Sequence, residues 1–330
     1  MIRSLAKPQE SLDNGETVRR NLRNTNLRQE IINHNDIWID VVDPTPTEIQ
    51  WLQEHFNLHA VVVEDLQRRD RRPSMLVYND YIFLSLFEPH ISLKRVGGEE
   101  VHCIIGENFF VTVRSNEAKG VDKAYERIAH SPNYWKNDVA YFLYLTMQSV
   151  IDCYYPLLDN ISLELNHSEE DLLSGNPKKT VQQDVYIIKQ QLFALRQMVA
   201  PQREVLSNAI GEERLTRTGE NRDLFRHLYE RLMRIYDLID SQRDLSSNVL
   251  DLLQNRSSAK LAETVNRLTI FSMIFLPLTV ITGLFELNFV TSESQFRIPV
   301  SGLVMFSIIV GFMLITMSSM IWFFKKRGWL

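Results

Sequence analysis

The sequence predicts an α/β cytosolic domain followed by a long stalk helix and two transmembrane helices. Three observations carry that prediction. Residues 268–285 and 298–324 are uncharged runs of 18 and 27 residues. Residues 220–276, 57 in all, contain neither Gly nor Pro. Short runs rich in β-branched and aromatic residues alternate with helical patterns up to about Arg114, after which the pattern is helical. The mean hydropathy of −0.17 hides this division, because the apolar residues are gathered at the C-terminal end.

Residues 1–35 are polar and charged and read as a loosely ordered leader, with no apolar run of the kind a targeting segment needs. The α/β domain is expected over 36–120. Its strands are Ile37–Val42 (IWIDVV), Met75–Phe87 around YIFLSLF, and Val101–Val113 as VHCIIG then NFFVTV, with Glu107 and Asn108 turning between the last two. A helix is expected between the first two, opening at Pro44–Thr47 with TEIQWLQEHF as its body. A helical part follows over 121–219, with helices near 121–130, 138–173 and 177–210. Gly175-Asn176-Pro177 would break the second from the third and make a hairpin.

The stalk helix is expected over 220–285, with the first span at 268–285. Its uninterrupted 57 residues would reach about 85 Å at 1.5 Å each, and a helix of that length needs neighbours to cover it. Leu224, Leu228, Leu232, Ile235, Ile239, Val249 and Leu253 recur at steps of three, four or their multiples. Two readings of that stripe stand: packing on its own domain, or self-association around an axis.

The two uncharged runs would reach about 27 and 40 Å against a hydrocarbon core of about 30 Å. Arg256, Lys260 and Arg267 precede the first; Lys325, Lys326 and Arg327 follow the second in a basic tail, 325–330. The connection 286–297 has one Arg and two Glu. The positive-inside rule then puts both termini in the cytoplasm and only the connection outside. Cys103 and Cys153, the only cysteines, agree with a reducing compartment.

Steps of seven from Asp251 reach Ser258, Val265, Ser272, Thr279 and Glu286; the adjoining series gives Asn255, Ala262, Thr269, Leu276 and Gly283. Inside the span this face is small or hydroxylated, while Phe271, Ile274, Phe275, Leu278, Ile281 and Phe285 lie opposite. Tight helix packing and a wet lumen both produce such a face. Asp251, in phase with it, favours the lumen, since identical subunits in a ring would form a carboxylate ring at a cytosolic mouth.

These residues resemble the CorA family of divalent-cation channels, which includes magnesium transporters and the ZntB zinc branch. The resemblance runs from about Trp38 to Leu330. It is densest in RLTIFSMIFLPLTVITGLFELNF (267–289) and FFKKRGWL (323–330), with support from WIDVVDPTPTEIQWLQEHF and QREVL (202–206). The resemblance implies a CorA-like homopentameric funnel whose stalk helix continues into a pore-lining first span, ringed by the second. Family pore positions carry over onto Asp251, Ala262, Val265, Leu268, Leu276, Thr279 and Asn288. Leu268 and Leu276 would be apolar constrictions, Thr279 a hydroxyl ring, and Asn288 an amide oxygen offered to a hydrated ion. Asn288 and Asp251 would be the metal-facing pair. Neutral oxygens suit Mg²⁺, which gives up water reluctantly.

Two departures stand out. The family signature Tyr-Gly-Met-Asn reads Phe285-Glu286-Leu287-Asn288, so only Asn is kept. Glu286 either rings the external entrance with carboxylates or points outward at the membrane boundary. His227 replaces an Asp at the family's intersubunit regulatory site, and imidazole suits Zn²⁺, Ni²⁺ or Co²⁺ better than Mg²⁺.

The expected function is passive or proton-coupled movement of a divalent cation, Mg²⁺ first and Co²⁺ or Ni²⁺ next, across a bacterial inner or plasma membrane. A ZntB-type Zn²⁺ transporter is the first alternative, and a non-conducting membrane-anchored sensor or scaffold the second. The expected partners are further copies of the chain, the lipid bilayer and the cation itself, with no resident cofactor. The net charge of −5 without a basic stripe disfavours nucleic acid. No Walker loop, GxGxxG, HExxH or nucleophile elbow occurs, so an enzyme is not expected.

Overall fold

Alternation in IWIDVV decides the layering of the soluble unit. Ile37, Ile39 and Val41 of β3 (Ile37–Val42) join one buried apolar cluster with Ile49, Leu52 and Phe56 of α2 (Pro46–Phe56) and Val62 and Leu66 of α3 (Ala60–Arg68). Trp38, between them in sequence, turns to the other layer. There its ring lies 5.3 Å from Tyr125 of α4 (Lys119–Ala129) and 6.4 Å from Phe142 of α5 (Val139–Asp152). The result is a sheet covered by helices on both faces. This computed structural model describes residues 1–11, 15–21, 24–33, 35–68, 72–93, 95–174, 180–289 and 302–327.

The remaining strands are β1 (Ile2–Ser11), β2 (Gly15–Arg20), β4 (Met75–Val77), β5 (Ile82–Ser92), β6 (Arg95–Ile105) and β7 (Phe109–Arg114). Their order is β2-β1-β3-β7-β6-β5-β4, and only β3 and β7 run parallel. α2 begins with a capping box, in which Thr45 Oγ1 accepts from the Glu48 amide and Glu48 accepts from the Thr45 amide. It stops at Asn57, which adopts the left-handed conformation. α4 begins where Glu88 of β5, almost fully buried, accepts the Gly120 amide at 2.8 and 2.9 Å. A Cβ at Gly120 would lie 2.7 Å from Glu88 Oε2, so a side chain there would push the carboxylate off its amide.

Three expectations are corrected. The polar leader belongs to the sheet: β1 pairs with β3, placing Leu5 opposite Trp38 and Ala6 opposite Ile37, and both Leu5 and Ala6 are fully buried. α1 (Asn24–Ile32) follows. Hydropathy misses this strand because ion pairs fix it: Arg3 meets Asp40 at 2.7 Å and Asp122 at 2.6 Å. The helix expected over 138–173 divides at Cys153 into α5 and α6 (Tyr154–Leu173), with Pro156 in the first turn of α6, where a missing amide hydrogen is tolerated. The strand expected over 75–87 is two, β4 and β5, turned at 78–81. The hairpin break at 175–177 lies outside the described residues.

α7 (Val181–Gly211) passes through Pro201, and α8 runs from Gly219 to Phe289 through Pro277. The chain divides into two units, Met1–Leu250 and Asp251–Leu330. In the first, Leu228, Leu232, Ile235, Ile239 and Val249 of α8 are fully buried, each burial contributing about 2 kcal/mol. Phe225 meets Tyr144 edge-on, Gln242 donates to the Leu158 carbonyl at 3.1 Å, and Arg231 pairs with Asp152. Up to Val249 the stripe therefore packs on its own domain. The second unit holds the rest of α8 and α9 (Gly302–Lys326).

Candidate functional site

Two helices, α8 up to Gly283 and α9 from Phe306, are long and apolar enough to cross a membrane. Within the second unit they meet, among the described residues, through a small cluster. Ile270 and Ile274 of α8 pack against Phe324 of α9, with Met320 beside them. Leu278 and Ile281, on the same side of α8, are half-buried. That seat fixes which way the rest of the helix points.

At ~100° per residue, Ile270, Ile274, Pro277 and Ile281 form one line along α8. Val265, Leu268, Ser272, Leu276 and Thr279 fall on the opposite side. All five are exposed, Val265 by 53 %, Leu268 by 66 % and Leu276 by 69 %. Asp251 and Ala262 are exposed as well. Every residue from 254 to 269 is exposed, so none of the described residues of the chain covers this length of helix. The structure thus brings the residues expected to line a pore onto a free face of α8, directed away from α9.

The hydroxyls on that face have one orientation. Thr279 donates to the Phe275 carbonyl at 2.9 Å, Ser272 to Leu268 at 3.0 Å and Thr269 to Val265 at 2.8 Å. Each proton is committed to the helix four residues back, which leaves the oxygen lone pairs as acceptors. Such an oxygen can accept a hydrogen bond from water bound to a cation and has no proton to offer an anion.

Phe285, Glu286, Leu287 and Asn288 belong to the last turns of α8, which ends at Phe289. The connection expected to begin at 286 therefore starts later. The stretch Leu284–Phe289 has no Gly or Pro to stop the helix. His227 is exposed on α8 in the first unit, and among the described residues no group of three or more His, Cys, Asp or Glu comes together. Both cysteines are free. Burial raises the Cys103 thiol and pushes Cys153 up to about 12.

A cleft of about 470 Å³ lies at one end of the sheet in the first unit. Four of its charged lining residues are paired internally. Arg214 donates to the Tyr78 carbonyl at 2.7 Å, Arg217 pairs with Glu107 at 3.3 Å, and Asp138 accepts from Asn221 at 2.8 Å. It is a poorer candidate than the free α8 face.

A model of the family described as CorA-like Mg2+ transporter protein matches residues 34–326. The chain belongs to this family. Among CorA-like relatives, the cobalt/magnesium transport protein CorA of Thermotoga maritima is 29 % identical over 298 residues, 89 % of this chain and 83 % of that protein. The zinc transport protein ZntB of Pectobacterium carotovorum is 22 % identical over 267 residues, 79 % of each. The complete structure of the CorA magnesium transporter from Methanocaldococcus jannaschii superposes with a TM-score of 0.82 at 18 % identity, covering 100 % of this chain and 99 % of that one. At that identity the likeness is one of fold. It extends the CorA architecture of α/β domain, long helix and two C-terminal apolar helices over the whole chain.

Proposed function

We propose that this CorA-like chain forms a homopentamer that moves divalent metal cations across a bacterial inner or plasma membrane, with Mg²⁺ its foremost cargo and Co²⁺ and Ni²⁺ further ones. Both termini are cytoplasmic in this reading. The observation that carries it is the free face of α8. A helix exposed all round for sixteen residues, 254–269, is marginal on its own. Identical neighbours around an axis give it cover and turn its uncovered face into a lumen.

In that lumen Leu268 and Leu276 form apolar rings that gate by dewetting, and Thr279 forms a ring of acceptor oxygens between dry constrictions and the external entrance. Val265 and Ala262 line the passage below, and Asp251 gives its cytosolic mouth five carboxylates. Asn288 meets the hydrated ion at the external end, with Phe285, Glu286 and Leu287 beside it. A Zn²⁺ cargo is the second reading. It is favoured by the imidazole of His227, an exposed residue, at a position where a harder oxygen ligand would suit Mg²⁺.

Two measurements test the reading. The mass of the detergent-purified chain is expected to correspond to five subunits, and a stable monomer or dimer would overturn the pentamer. Cysteines introduced at Ser272 and Thr279 are expected to react with small water-borne thiol reagents, while those at Ile274 and Leu278 stay at least about tenfold slower. Burial raises both native thiols, which slows their reaction and is expected to keep the background low. Equal labelling of the two sets would mean that the free face of α8 is a packing surface.

A further inference from the structure

We propose that the basic end of α9 is a binding surface for anionic phospholipid. The inference rests on α8 and α9 crossing a bilayer, and does not depend on which ion is carried. Three aromatic residues, Trp322, Phe323 and Phe324, are followed directly by three cations, Lys325, Lys326 and Arg327. Phe324 is buried against Ile270 and Ile274. Trp322 and Phe323 are 63 % and 49 % exposed.

The cations do not extend away from the apolar helix. Lys326 Nζ lies 5.0 Å from the centre of the Trp322 ring, and the Arg327 guanidinium lies 5.3 Å from that of Phe323. Each pair is spaced by four residues and so shares a helix face. Trp322 and Lys326 stand ~160–200° around α9 from Phe324, on the side turned away from α8. Folded back over the rings, these charges sit at the depth where aromatic side chains meet lipid headgroups.

Among the described residues they also lack an ion-pair partner of opposite charge, in contrast with Arg267. Arg267, the cation on α8 nearest to the Ile270 seat in sequence, is neutralised by Glu263 at 2.5 Å. Among the described residues no ion pair is formed by Lys325, Lys326 or Arg327. Three cationic donors above an exposed apolar helix match one class of ligand, a phosphodiester headgroup joined to acyl chains. The lysines supply point charges and Arg327 a fork that can hold two phosphate oxygens. The acyl chains lie along the exposed Ile315 and Leu314 higher on α9.

The test is lipid titration of the full-length protein in neutral detergent, read by native mass spectrometry with phosphatidylglycerol and phosphatidylcholine in parallel. At about fivefold per cation, three cations give the anionic lipid an advantage on the order of a hundredfold. Replacing Lys325, Lys326 and Arg327 together by Gln is expected to remove that advantage. Trp322→Leu with Phe323→Leu keeps the charges and is expected to weaken phosphatidylglycerol binding several-fold; it carries the test if the triple variant fails to insert. Arg256→Gln with Lys260→Gln, which removes two exposed cations elsewhere on α8, is expected to leave the preference intact. Equal binding of the two lipids, or an undiminished preference in the triple or the aromatic variant, would overturn the proposal. So would competition by soluble glycerol phosphate at the same concentration, because the surface would then read phosphate and not lipid. Release of the wild-type chain from membranes without detergent would instead defeat the spanning reading itself.

Discussion

Asn288→Ala is expected to abolish cation flux into liposomes containing the reconstituted protein, at unchanged pentamer mass. The reading places one Asn288 from each subunit at the external entrance, where its amide oxygen accepts a hydrogen bond from the ion's water shell. A neutral acceptor of this kind contributes about 1 kcal/mol. A ring of five loses about 5 kcal/mol when truncated, a factor above a thousand in occupancy. Glu286→Gln separates the two readings of its neighbour. If the carboxylates ring the entrance they enrich cations there, so the variant should take up less at low external cation, and the deficit should shrink in high salt. Glu286→Gly restores the family residue and is expected to shift preference towards Mg²⁺. Loss of flux in Asn288→Ala with none in Glu286→Gln makes Glu286 a boundary residue. Undiminished flux in Asn288→Ala removes the entrance from this turn of α8, and a wild-type chain that conducts nothing favours an anchored sensor.

Asp40→Ala is expected to be the most damaging single change in the soluble unit. Asp40 is fully buried and accepts from Thr112 Oγ1 at 2.6 Å, Arg3 Nε at 2.7 Å, and Arg114 at 3.1 and 3.3 Å. Arg114 is itself buried, and Asp122 completes the group at 2.5 Å. Removing Asp40 leaves two guanidinium groups facing one carboxylate. Breaking a buried pair in this way costs about 3–5 kcal/mol, or on the order of 10 °C in melting temperature for a unit of this size. The measurement is a fluorescence melt of the detergent-purified chain. Arg114→Met on the Asp40→Ala background should recover part of the loss, because it removes a stranded charge. A melt unchanged by Asp40→Ala would mean that the pairs contribute no net stability.

The elements legible in the sequence are those built on runs of apolar residues. IWIDVV, YIFLSLF and NFFVTV each coincide with or overlap a strand of the sheet, and the Gly- and Pro-free stretch from Glu220 is indeed helical. The β1–β2 hairpin was not legible, since its place depends on Arg3 finding Asp40 and Asp122, and no hydropathy pattern reports a pair 37 or 119 residues apart. The stripe from Leu224 allowed two partners, and the choice between its own domain and another copy needed the positions of α5 and α6. In the span, the phase of the small and hydroxylated face was readable from Asp251 onward. The seat of α9 was not, because α9 is apolar all round and its periodicity does not single out Phe324. Glu286 and Asn288 could be placed on a helix, but their roles follow from the resemblance.

The parallel pairing of β3 with β7 bears on how the chain comes off the ribosome. Ile37 lies beside Phe109 and Val42 beside Arg114, so the two central strands are separated by some seventy residues of nascent chain. The β1–β2 hairpin emerges ahead of both, yet β1 has its second neighbour only once β3 appears, and β3 waits for β7. Such long-range closure is slow, and until it occurs Trp38 and its buried polar neighbours are open to the wrong partners. The apolar spans are made after the soluble unit, which ends at Leu250. A delay in closing the sheet would therefore bring a half-finished domain and two insoluble helices into existence together. Folding of the first unit during synthesis, ahead of insertion of the second, is the order that avoids this conflict.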